Sequence, residues 1–146
     1  MITSDSFQRI LLAEDDEDDT FLFQQALLDL GLNYELHLAN DGIQVLKMLN
    51  SRQDFDIVFL DINMPLKNGF QCLEEIPDIL NSGHIPVVCL STSNDKTIIK
   101  RARDLGASGY IIKSISYARY LEVIKEILLT GLKPDPKDGF LLFRDA

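Results

Sequence analysis

Residues 56–65 read Asp56-Ile-Val-Phe-Leu-Asp61-Ile-Asn-Met-Pro65. Ile57, Val58, Phe59 and Leu60 form a short apolar run with no alternation, the pattern of a strand covered on both faces in a parallel sheet. A strand of that kind tolerates no charge inside it. Asp61 is therefore expected where the strand leaves the sheet, just before a proline turn, and the carboxyl ends of strands are where open parallel sheets bind their ligands.

Three other apolar runs end on polar residues. Ile10 to Ala13 is followed by Glu14 and Asp15, Pro86 to Leu90 by Ser91 and Thr92, and Gly109 to Ile112 by Lys113. Carboxylates converging from two strand ends repel one another unless a hard divalent cation neutralises them. A few carboxylates with retained waters is the ligation magnesium prefers. The Lys113 ammonium is a point charge suited to a phosphoryl oxygen or an aspartate. An acid pair, an aspartate, a hydroxyl and a lysine make a constellation for phosphoryl transfer.

Strands are expected near 9–13, 34–39, 56–60, 86–91 and 109–112, and helices near 17–30, 42–51, 69–80, 95–105 and 117–129. Regular alternation of this kind implies an α/β fold, a parallel sheet with helices on both faces. The last helix places Tyr117, Leu121, Ile124 and Leu128 on one stripe. Pro77 lacks a donor and crowds the preceding turn, so the third helix is expected to end or kink near Ile76.

From Arg9 to about Thr130 these residues resemble the receiver domain of two-component response regulators, in its stand-alone, chemotaxis-regulator-like form. Met64-Pro65 after Asp61, Gly69 four residues on, and Gly106-Ala107 leading into Tyr110 strengthen the likeness. The resemblance implies a five-stranded parallel sheet of order 2-1-3-4-5 in a flavodoxin-like, three-layer α/β/α fold. It also implies that Asp61 is the phosphoacceptor. Magnesium would be held by Asp15, Asp61 and the backbone carbonyl of Asn63, with Glu14 acting indirectly. Ser91 would bind the transferred phosphoryl group, Lys113 would neutralise one of its oxygens, and Tyr110 would be the aromatic switch residue working with Ser91. The implied partners are a histidine kinase or histidine phosphotransfer protein, and a downstream protein bound through the fourth helix, fifth strand and fifth helix.

The chain departs from the family pattern in two places. Ser114 stands where proline usually follows the lysine, and a cis peptide there would cost roughly 2.5–4 kcal/mol. Ser108 and Gly109 replace the acidic residues that precede the switch aromatic in many DNA-binding members, so their dimer is not expected.

At 146 residues the chain suits one domain, able to bury about two thirds of its unfolded surface. The 14 basic and 23 acidic residues give a net charge of −9, which disfavours nucleic acid and anionic membranes as direct partners. Cys72 and Cys89 read as small buried hydrophobes rather than a disulfide framework, in keeping with a reducing cytoplasm. The start, Met1 to Asp5, lacks a signal pattern, and no apolar run nears the roughly 20 residues of a membrane span. His37 and His84 have no second ligand at metal-binding spacing.

The acidic run Glu14 to Asp19 lacks the alternating ligands and turn glycine of an EF-hand. Glu17, Asp18 and Asp19 are expected to favour a helix N-terminus through its dipole, while Asp16 falls between the two groups. The basic residues Lys96, Lys100 and Arg103 share one face of the fourth helix, either a partner surface or a solvated face balanced by Asp95 and Asp104.

A hydrolase of the haloacid dehalogenase type needs a second acid two residues after its aspartate, where this chain has Asn63. A transcription factor needs a basic output domain. The expectation is a receiver domain at 1–130 and an extension at 131–146 with no separate output domain. It accepts phosphate onto Asp61 and dephosphorylates itself without being a dedicated enzyme. The alternative is a phosphorylation-independent adaptor. In the extension, Pro134, Pro136 and Gly139 break any helix, and Phe140 to Phe143 form an apolar patch expected to pack on the protein's own surface.

Overall fold

The computed structural model describes residues 9–80, 84–130, 132 and 139–145. In chain order the elements are β1 (Arg9–Ala13), α1 (Glu17–Asp29), β2 (Glu35–Ala39), α2 (Gly42–Ser51), β3 (Ile57–Asp61), α3 (Gly69–Ile79), β4 (Val87–Ser91), α4 (Lys96–Asp104), β5 (Gly109–Ile112), α5 (Tyr117–Thr130) and β6 (Leu141–Phe143). All pair in parallel in one sheet of order β2-β1-β3-β4-β5-β6.

Alternation along the strands divides the core in two. Leu11, Val58, Leu60, Cys89 and Tyr110 face α2, α3 and α4, where they meet Val45, Leu49, Phe70, Leu73 and Ala102. Ile10, Leu12, Ile57, Phe59, Val88 and Ile111 face α1 and α5, against Phe23, Ala26, Val123, Ile124 and Ile127. Successive strand side chains point to opposite faces, so a strand buried on both sides must be apolar throughout. β3 and β4 are buried at every residue.

Polar residues start the helices where each strand run ends. Asp16 and Asp41 cap α1 and α2, Asn68 and Gln71 form a reciprocal capping box on α3, and Asp95 caps α4. Each satisfies backbone donors that the first helical turn leaves open.

Three expectations change. α3 continues through Pro77 to Ile79, with the Leu80 N–H bonded to the Ile76 carbonyl at 3.2 Å. Pro77 removes one bond from the final turn, while Phe70, Leu73 and Ile76 keep the helix seated in the core. On α5 the buried stripe runs through Tyr120, Val123, Ile124, Ile127 and Leu128, with Tyr117 and Leu121 only partly covered. The apolar patch after Gly139 is a sixth strand, which covers the β5 edge and leaves β5 buried throughout. Phe143 is buried on the α5 side, which draws this short segment into the sheet. The expected breakers Pro134 and Pro136, like residues 1–8, lie outside the described residues.

Candidate functional site

Register brings the functional strand ends into a row. Ala13 pairs with Leu60, Asp61 with Leu90, and Ser91 with Ile112. Glu14, Asp61, Ser91 and Lys113 therefore emerge along one edge of the sheet. Gly69 shapes the loop beyond Asp61: a Cβ there would lie 2.7 Å from the Ile62 Cα and 2.8 Å from the Asp61 carbonyl oxygen. Glycine alone permits that approach, in which the Gly69 N–H donates to the Ile62 carbonyl at 2.8 Å.

Lys113 is the centre of the charge arrangement. Its Nζ lies 2.8 Å from Glu14 Oε1, 2.9 Å from Asp19 Oδ2 and 3.1 Å from Asp61 Oδ2. Burial alone would lower the Lys113 pKa, but Glu14, Asp19 and Asp61 outweigh it and raise the value above the ordinary lysine range. Glu14 and Asp61 are almost completely buried. Burial first, and the neighbouring Asp61 second, push the Glu14 carboxyl upward, with Lys113 opposing them. Glu14 Oε1 is close enough to Lys113 for the ion pair but accepts no aligned hydrogen bond.

The other oxygens have backbone partners. Asp61 Oδ1 accepts from the Asn63 N–H at 3.0 Å, and Glu14 Oε2 from the Asp16 N–H at 3.2 Å. One carboxylate oxygen each from Glu14, Asp15 and Asp61 lie within 4.8 Å of one another, with Asp15 exposed to solvent. Hard oxygen donors, net negative charge, an open side and an underused buried oxygen fit a divalent cation with retained waters.

On the other side of Asp61, the buried Ser91 Oγ accepts the Ser93 N–H at 3.1 Å. The Ser93 carbonyl accepts from the Tyr110 hydroxyl at 2.8 Å, and Tyr110 is fully buried. Two hydrogen bonds thus join the Ser91 hydroxyl to the Tyr110 ring. Thr92, also a strand-end hydroxyl, is exposed. The described peptide bonds include no cis bond, so Lys113–Ser114 is trans.

Asp19 lies in the first turn of α1, as expected of an acid at a helix start, but sequence reasoning missed its second role. Its ion pair with Lys113 adds a role toward the site. The available signal was position: Asp19 lies in the first turn of the helix that begins beside the site.

A family model for the response regulator receiver domain matches residues 10–125. The chain belongs to this family. Among similar proteins, the receiver is 32% identical over 119 residues to chemotaxis protein CheY-3 of Vibrio cholerae, covering 82% of this chain and 90% of that one. The phosphorylated cyanobacterial phytochrome response regulator RcpA superimposes with a TM-score of 0.72 at 31% identity, over 86% of this receiver and 96% of that chain. The Mn(2+)-bound form of response regulator Rcp1 gives a TM-score of 0.73 at 27% identity, over 84% and 94% of the two chains. Parallel sheet, strand order through β5 and helix placement are those of the family. No described helix is long and apolar enough to cross a membrane.

Proposed function

We propose that this receiver accepts a phosphoryl group on Asp61 from a histidine kinase or histidine phosphotransfer protein. It acts as a cytoplasmic response regulator that signals by altered protein contacts or passes the phosphate onward. The observation that carries this reading is Lys113 Nζ held between Asp61 and Glu14, two of the three carboxylates that converge there with Asp15. Residues 1–130 would form the receiver and 131–146 a segment that follows it.

In the reaction, an Asp61 carboxylate oxygen attacks phosphorus in line. The P–N bond of the donor phosphohistidine breaks, and its electron pair leaves with the imidazole. Asp15, Asp61 and the Asn63 carbonyl would hold magnesium, with Glu14 acting indirectly. The bound cation supplies neutralisation of the transferring oxygens. Lys113 can swing its ammonium from Asp61 toward a phosphoryl oxygen, with Glu14 and Asp19 as the remaining carboxylates on the same Nζ. The Asn63 N–H bond orients the Asp61 carboxylate, a positioning role. Solved structures of a phosphorylated and a manganese-bound relative support the same chemistry here.

The Ser91 hydroxyl would then donate to a phosphoryl oxygen, and its movement toward that oxygen would give up the bond its Oγ accepts from the Ser93 N–H. That exchange loosens the segment whose carbonyl holds Tyr110 and biases the equilibrium between two surfaces. The test is a phosphotransfer screen using histidine kinases radiolabelled on phosphohistidine. At least one should label this protein but not its Asp61→Asn variant; failure of every donor with magnesium present counts against the reading.

A further inference from the structure

The groove between α4 and β6 takes no part in phosphoryl transfer. It encloses about 400 Å³. Its floor is apolar, made by Ile99, Phe140 and Leu142, and Leu142 is 38% exposed. Its rim carries Lys96, Lys100, Arg103 and Arg144. This is a concentrated basic lining on a protein of net charge −9.

The four cations are not equivalent. Lys100 pairs with Asp104 at 2.7 Å, and Arg103 reaches the same carboxylate at 3.8 Å. Lys96 and Arg144 are exposed and have no acidic partner among the described residues. The sheet edge adds backbone groups. Leu141 donates its N–H to the Ser108 carbonyl at 3.1 Å, so parallel-ladder alternation turns the Leu142 N–H and C=O outward.

We propose that this groove docks a short acidic segment of a partner protein, extended along β6. One apolar side chain lies on the floor, and Asp or Glu side chains lie beside Lys96 and Arg144. The proposal names the partner chemistry of the receiver reading and rests on that reading for its biological setting, though not for the groove itself. An extended peptide fits because an open strand edge supplies main-chain bonds while alternate side chains fill the adjacent pocket. A polyanion such as nucleic acid fits less well. Two of the four cations already share an internal carboxylate, the floor is apolar, and the whole chain would repel a long anion. β6 also moves the contact away from β5, whose edge it covers.

The test pans a random peptide library displayed on phage against the full chain. It then measures the enriched synthetic peptides by fluorescence anisotropy at several salt concentrations. Enriched sequences should carry acids flanking Leu, Ile, Val or Phe. Affinity should fall about tenfold or more for Lys96→Glu with Arg144→Glu, and also for Leu142→Asn. Lys125→Glu, exposed on α5, should leave it unchanged. The proposal is overturned if nothing is enriched, if the peptides lack acids, if the groove variants bind normally, or if Lys125→Glu weakens binding equally. Sedimentation showing that the groove variants dissociate a dimer of the free protein would assign the groove to a second copy instead. Asp61 phosphorylation by acetyl phosphate is measured on the same proteins, so peptide binding without phosphorylation would sink only the receiver reading.

Discussion

Three carboxylates around one ammonium leave the site with surplus negative charge. Glu14, Asp19 and Asp61 all touch Lys113. Without a cation, Asp61→Asn should therefore stabilise the fold by about 1 kcal/mol, relieving repulsion at a buried carboxylate. Lys113→Ala should destabilise it by up to about 3 kcal/mol, since it strands buried acids without their partner. Urea denaturation of both variants checks the pair of signs, and magnesium should recover part of the Lys113→Ala loss. Magnesium affinity should fall roughly tenfold or more, about 1.4 kcal/mol, in Asp15→Asn. It should stay within about threefold in Asp19→Asn, whose carboxylate faces Lys113 rather than the cation, and calorimetric titration separates these outcomes. The cysteines give a third expectation. Burial pushes Cys89 up to about 12 and Cys72 up to about 11, so native protein should resist iodoacetamide until it unfolds. A thiol pKa higher folded than unfolded leaves stability unaffected below the ordinary thiol range. Stability then falls as pH rises through that range, because the unfolded chain loses its proton first.

At the scale of elements, the four strands that end on functional residues, β1, β3, β4 and β5, were legible because each is a compact apolar run closed by a polar residue. Asp61 and Lys113 could be placed at strand ends from that alone, and the resemblance gave them roles. Burial of α5 was harder to read. Its stripe is broad, and Val123 and Ile127 lie between the positions first singled out. Ile127→Ala should cost about 2–5 kcal/mol by leaving a cavity, whereas the partly exposed Leu129→Ala should cost under about 0.5 kcal/mol. β6 was not legible as a strand. Three residues after a proline- and glycine-rich stretch show no period, and only packing of Phe143 and pairing with β5 define it. Phe143→Ala should therefore cost about 3 kcal/mol and raise amide exchange in β5, read by hydrogen–deuterium exchange. Unchanged protection of β5 would mean that β6 is not a stable part of the sheet.

For the whole molecule, the alternation of strand and helix runs pointed to a parallel sheet with helices on both faces, and the structure has that fold. What escaped the sequence was long-range. The Asp19 to Lys113 pair spans 94 positions, and the path from Ser91 through Ser93 to Tyr110 depends on a loop that no periodicity describes. That path links the acceptor to β5, and β5 pairs with β6, which lines the groove of the proposed partner surface. The central claim is that Asp61 accepts the phosphoryl group. Acetyl phosphate with magnesium, followed by borohydride trapping and peptide mass spectrometry, measures it most directly. The expected result is reduction at Asp61 alone, lost on chelating magnesium and absent from Asp61→Asn. Trapping at another residue, or labelling that survives Asp61→Asn unchanged, would contradict it.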